Sequence, residues 1–171
     1  MADAAPEFAI REIRPEEYEA LGEVTVRAYA AAPDDDVDYH PQLRNVARRA
    51  SRIPVLVAVD NDGRVLGGVA YVPEPGAPYA ESERGNEAGF RMLAVDPAAG
   101  GRGIGRALAI ACVDRARAAG RSGVAILTQP SRSVAHGLYE SLGFERDPSR
   151  DLEYAPGRWL WSFVLTFEEP A

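Results

Sequence analysis

The chain has 171 residues, one domain's length and enough to bury a core without disulfides. Its net charge of -7 excludes a broad nucleic-acid footprint, which needs a basic surface. All 19 basic residues are arginines, so the chain can supply neither the phosphate lysine of a P-loop nor the Schiff-base lysine of a pyridoxal enzyme.

Hydrophobic residues make up 46% of the chain and charged residues 26%, an ordinary globular profile. Cys112 has no partner for a disulfide or a cysteine-based zinc site. No apolar run is long enough to span a bilayer, and residues 1–7 carry acids rather than a basic, apolar signal pattern. The expected location is cytoplasmic, with no membrane partner.

In chain order, residues 8–14 alternate as a first strand. Pro15 opens an acidic-headed helix over residues 15–31. A loop with Asp34, Asp35 and Asp36 leads to a helix over 41–52. Residues 54–60 and 64–72 form a hairpin around Asn61-Asp62-Gly63. A proline-rich loop spans 73–86, and 87–95 is the fourth strand, ended by Asp96-Pro97. A glycine-rich turn at 100–105 opens a helix over 103–119, with Ile104, Leu108, Ala111 and Cys112 on one stripe and Gly120 as its cap. A buried strand at 124–127, a helix at 131–142 ending at Gly143, a strand start at 144–146, a polar loop through Gly157 and a last strand at 158–167 complete the order. This order predicts an α+β fold, with helices packed on a mostly antiparallel sheet. It is read as a single domain over 1–171, its core at about 8–168.

Two segments carry chemistry. In residues 90–112 a strand runs into a glycine turn and then a helix, gathering free N–H groups and a helix dipole at one point, a phosphate-binding device. The same turn could serve only to reverse the chain. A dinucleotide fingerprint is disfavoured, because Gly101 and Gly103 would need a glycine where Arg106 stands and the turn falls in mid-chain. In residues 134–144, Ala135, Leu138 and Leu142 make an apolar helix face, with Tyr139 beside it. By itself that tyrosine reads as a core residue.

Together the strand Leu93-Ala94-Val95, Asp96-Pro97, the glycine turn and the run LYESLGF resemble the GNAT superfamily of N-acetyltransferases in order and spacing, specifically over residues 90–146. The resemblance implies the GNAT acyl-CoA N-acyltransferase fold, a mixed, mostly antiparallel central sheet with helices on both sides, and acetyl-CoA as cosubstrate, with no metal, and a primary amine as acceptor. Leu93, Ala94 and Val95 would bind the pantetheine arm through their main chain. The amides of Gly101, Arg102, Gly103, Ile104, Gly105 and Arg106 would hold the pyrophosphate. Tyr139 matches the tyrosine that protonates the departing thiolate. Two departures stand out. Gly100 replaces a usual Gln or Arg, with Arg102 or Arg106 to supply the charge. Arg132 occupies the place of an asparagine that contacts the CoA arm.

Attack on a thioester needs a neutral amine, hence a base or a water path for its proton. Glu87, on the fourth strand, and Glu81 and Glu83, in the loop before it, are the candidates. A strand-four amide such as that of Val95 could stabilise the oxyanion. His40 and His136 have no metal-ligand spacing, and no Ser-His-Asp arrangement is present. Trp159 and Trp161 alternate with Leu160, so one of them could wall a substrate pocket. The acidic balance tilts weakly toward a cationic amine. A monomer or homodimer is expected. The alternatives are a non-catalytic acyl-CoA-binding module and a domain that uses the turn for another nucleotide.

Overall fold

The computed structural model describes residues 7–168. Eight strands form one sheet: β1 (Phe8–Glu12), β2 (Val55–Asp60), β3 (Val65–Val72), β4 (Glu87–Val95), β5 (Gly123–Thr128), β6 (Glu145–Arg146), β7 (Leu152–Ala155) and β8 (Arg158–Thr166). The order is β1-β2-β3-β4-β5-β8-β6, with β7 also pairing to β8. Every pairing is antiparallel except β4 with β5. The helices are α1 (Tyr18–Ala30), α2 (His40–Arg44), α3 (Val46–Ala50), α4 (Ile104–Ala118) and α5 (Ser133–Ser141).

Strand alternation builds a core on each face. Val55, Val57 and Val59 of β2 pack with Leu21 and Val24 of α1 and Val46 of α3. Leu56 and Ala58 face the other way, onto Ile104, Leu108 and Cys112 of α4. Helices therefore cover both sides, as the resemblance implied.

Three details differ from the sequence reading. The helix expected over 41–52 breaks at Asn45, whose ψ of 63° ends α2 while its side chain caps the Arg48 N–H and starts α3. Pro15–Glu17 is a 3-10 turn ahead of α1 rather than part of it. The polar loop before Gly157 contains β7, which forms a hairpin with β8.

α4 and α5 end alike. Gly120 (φ 73°) and Gly143 (φ 96°) take the left-handed position beyond each helix. The next residue's N–H returns to the last turn, from Arg121 to the Ala116 carbonyl and from Phe144 to the Tyr139 carbonyl, at 2.9 and 3.0 Å. In α5 this Schellman closure also sets Phe144 against Tyr139, with ring centroids 5.8 Å apart.

Candidate active site

β4 and β5 pair only from Glu87 to Gly89 against Gly123 to Ala125, then part. A bulge in β4 follows close on the separation. Gly68 pairs with Ala94 but Ala70 with Arg91, so β4 carries one extra residue there. Met92 takes that strain at φ 55°, a rare conformation for a residue with a side chain. β5 is lost after Gly89, before the bulge, and beyond the bulge β4 keeps only its β3 partner. The Asp96 N–H donates to the Leu66 carbonyl of β3 at 2.8 Å. Strand amides alternate in direction, so the Val95 N–H is turned to the opposite edge, into the gap.

The gap ends at the glycine turn. Asp96 closes β4: it is 3% exposed, and its side chain caps the Ala98 N–H. Gly101 (φ 78°) and Gly103 (φ 76°) then reverse the chain into α4. Gly103 is the N-cap of α4, and no side chain caps the helix. A Cβ at Gly101 or Gly103 would meet nothing within 4 Å, so the cradle is open. Its first-turn N–H groups are left for an anion, as the dipole favours. Arg102 pairs with Glu7 at 3.2 Å, and Arg106 donates to Ser141 Oγ at 2.8 Å. Ile104 is buried in the core, so only its main chain can serve the cradle.

Tyr139 lies below the point where the strands part. Its ring is packed among Phe90 of β4, Phe144 and Phe163, at centroid distances of 5.9, 5.8 and 6.2 Å. Burial pushes its phenol well above the ordinary range, so the hydroxyl keeps its proton at neutral pH.

On the far side lies a cavity of about 360 Å³, reached by Met92 of β4, Leu127 of β5 and Tyr29 of α1. Glu81 has its main chain at the surface, but its side chain turns inward and is 26% exposed. Its Oε1 lies 2.6 Å from Arg91 Nη2. Burial pushes the Glu81 carboxyl up, while Arg91 pulls the other way. Arg91 also reaches the Tyr39 hydroxyl and the carbonyl of Tyr79, a second residue at positive φ (69°). Burial pushes the Tyr39 phenol up to about 12.

The other two glutamates are engaged elsewhere. Glu87 meets Arg150 through both carboxylate oxygens, at 2.6 and 3.1 Å, at the paired end of β4 and β5. Glu83 accepts the N–H groups of Glu81 and Ser82, which holds the loop in shape. Neither lines the cavity. Arg132 does: its guanidinium stacks 4.2 Å over Tyr29, and its Nε donates to Gln129 at 3.2 Å. Of the last strand it is Leu160, not a tryptophan, that lines the cavity. Trp161 packs on His136 and Arg146, and Trp159 is exposed. Cys112 is fully buried with its thiol pushed up, an inert core residue. Among the described residues no group of three or more side chains could hold a metal, and no helix is long and apolar enough to cross a membrane.

The acetyltransferase (GNAT) family profile matches residues 9–144, and the chain belongs to that family. Mycothiol acetyltransferases are among its relatives: that of Cellulomonas flavigena is 30% identical over 154 residues, 88% of this chain and 44% of the relative, and that of Gordonia bronchialis is 30% identical over 139 residues, 72% and 44%. The chain thus spans less than half the length of these relatives. Two solved structures share the fold. A GNAT acetyltransferase from Brucella melitensis in complex with acetyl-CoA superposes with a TM-score of 0.65 at 24% identity, covering 98% of this chain and 92% of that one. The PaiA N-acetyltransferase from Thermoplasma acidophilum in complex with coenzyme A gives 0.70 at 16%, covering 94% and 99%.

Proposed function

We propose that this protein transfers the acetyl group of acetyl-CoA to a primary amine held in the cavity beside Glu81 and Arg91. One observation carries the reading: β4 and β5 part beyond Gly89, and Met92 of β4 and Leu127 of β5 line that cavity while β4 runs on to the uncapped N-terminus of α4. The open glycine turn fits a pyrophosphate, and the unpaired edge of β4 fits an amide-bearing pantetheine arm. The thioester supplies an activated acyl group with a good leaving group. The chain's own residues do the rest. N–H groups from Gly101 to Arg106 hold phosphate oxygens, with Arg102 and Arg106 at the rim. Main-chain groups of Leu93, Ala94 and Val95 line the arm, and the Val95 N–H faces the position where charge grows on the carbonyl oxygen. Tyr139, kept protonated by burial, delivers its proton to the leaving sulfur. Glu81, made more basic by burial, receives the amine's proton directly or through water. That role goes to Glu81 rather than Glu87 because only Glu81 faces the cavity.

The test is a thermal-shift titration with acetyl-CoA, free CoA, ATP and NAD in parallel, followed by thiol detection with a panel of amines. A ligand selective for the folded state adds about 2.7 kcal/mol at a hundredfold excess over its Kd. The expected result is a shift with acetyl-CoA and CoA only, and amine-dependent thiol release. Shifts without thiol release would identify a non-catalytic acyl-CoA-binding module. Shifts with ATP or NAD would point to another nucleotide. No shift with either CoA species refutes the reading.

A further inference from the structure

The charges inside the acceptor cavity are not those of the whole chain. Two carboxylates, Asp36 and Glu81, face two guanidiniums, Arg91 and Arg132. Three of the four are occupied. Glu81 and Arg91 hold each other at 2.6 Å, and Asp36 caps the Asp38 N–H with Arg158 3.8 Å away. Arg132 is different. Its Nη2 is buried and has no hydrogen-bond partner among the described residues. A guanidinium has no acceptor capacity, and a buried donor left unmade is costly, so this atom calls for an anionic or carbonyl oxygen. The remaining walls are apolar at Tyr29, Met92, Leu127, Leu152, Tyr154 and Leu160, and polar at Tyr39, Gln42 and Gln129. At about 360 Å³ the cavity is at the small end of ligand pockets. A polyamine would bring several positive charges beside Arg91 and Arg132, where like charges repel. The net charge of -7 therefore does not predict what this site selects.

Resting on the acetyltransferase reading above, we propose that the acceptor is a free α-amino acid with an apolar side chain, its carboxylate on the Arg132 guanidinium, its amine beside Glu81 and its side chain against the tyrosine and leucine walls. In the transfer the acetyl carbon loses its bond to sulfur and gains one to the amine nitrogen. The acceptor enters as the neutral amine, its ammonium proton already lost to solvent; on attack its next proton passes to Glu81, the sulfur takes one from Tyr139, and exchange with water then reprotonates Tyr139 and deprotonates Glu81. The products are an N-acetylamino acid and CoA.

The experiment compares leucine, methionine and phenylalanine with their decarboxylated amines and with spermidine, at saturating acetyl-CoA. A site built around a polar group rejects an analogue lacking it strongly, so kcat/KM should favour each amino acid over its amine by about 100-fold. In Arg132→Leu that ratio should collapse toward one, and Arg132→Lys, which keeps the charge without the fork, should restore part of it. Preference for the amines or spermidine overturns the proposal. So does acetyl-CoA binding with no amino acid acetylated. An Arg132→Leu loss that falls equally on every acceptor and raises the KM for acetyl-CoA also overturns it, by assigning Arg132 to the acyl donor. Failure to bind acetyl-CoA, seen first in the thermal shift, refutes the acetyltransferase reading itself and this proposal with it.

Discussion

In the proposed mechanism the same force, burial, prepares Tyr139 and Glu81 for opposite roles. Burial keeps the Tyr139 phenol protonated and the Glu81 carboxylate more basic than an exposed one. Tyr139→Phe preserves the ring packing against Phe90, Phe144 and Phe163 and removes only the hydroxyl. It should lower kcat by about 100-fold, a usual size for one proton transfer, and leave the Kd for acetyl-CoA unchanged. Unaltered turnover would remove the acid role. Glu81→Gln should abolish the rise of kcat/KM with pH that marks a base losing its proton. If the limb persists in the variant, another group or solvent takes the proton. Tyr139 stood out in the sequence because its motif is contiguous. Glu81 was one of three acids with nothing to rank them. Arg150 claims Glu87 from 63 positions away, and the positive φ of Tyr79 shapes the loop that brings Glu81 inward. Both effects are tertiary and leave no local signal.

At the scale of elements, punctuation decided what could be read. Gly120 and Gly143 were expected at helix ends and stand there in Schellman closures. The β4 limits were legible from alternation and Asp96-Pro97, whereas its bulge was not, since Met92 carries no glycine or proline to announce a kink. β7 was missed although Leu152 and Tyr154 alternate before Pro156-Gly157. Its acids and exposed face imitate a loop. Two glycines of α4 separate fold from function. Gly103 and Gly120 have φ of 76° and 73°, and a Cβ at either would meet nothing within 4 Å. Each Gly→Ala should therefore cost about 1 kcal/mol of stability for the left-handed backbone. Only Gly103→Ala puts its methyl into the anion cradle, and it alone should weaken acetyl-CoA binding, by about tenfold. Calorimetric titration of both variants checks this. Equal affinities would show that the phosphates do not sit on this turn.

For the molecule as a whole, acid stability depends on carboxylates that tie distant elements together. Asp96 links the end of β4 to Arg27 of α1 at 3.0 Å and to Arg64, just before β3, at 3.4 Å. Burial pushes its carboxyl up, but the Ala98 N–H and Arg27 outweigh that and hold it below its usual value. Glu17 is lowered chiefly by its hydrogen bonds from Arg11, against the cost of burial. Asp151 is also lowered, because Arg146 and the Ser162 N–H overcome burial. A carboxyl lowered in the folded state adds stability above its unfolded pKa, and that stability is lost as pH falls through the folded value. The melting temperature should therefore drop steeply below about pH 4, where these groups begin to take up protons. Arg27 and Arg64 are 52% and 60% exposed, so solvent screens their ion pairs, and the cap to Ala98 matters more than the charges. Asp96→Asn keeps an acceptor for that cap but cannot titrate. It should melt slightly below the parent at pH 7 and show a shallower loss between pH 5 and 3, measured by thermal denaturation across that range. If parent and variant lose stability in parallel, Asp96 is not among the groups whose protonation unfolds the protein. The acid transition would then rest on Glu17 and Asp151, at opposite edges of the sheet.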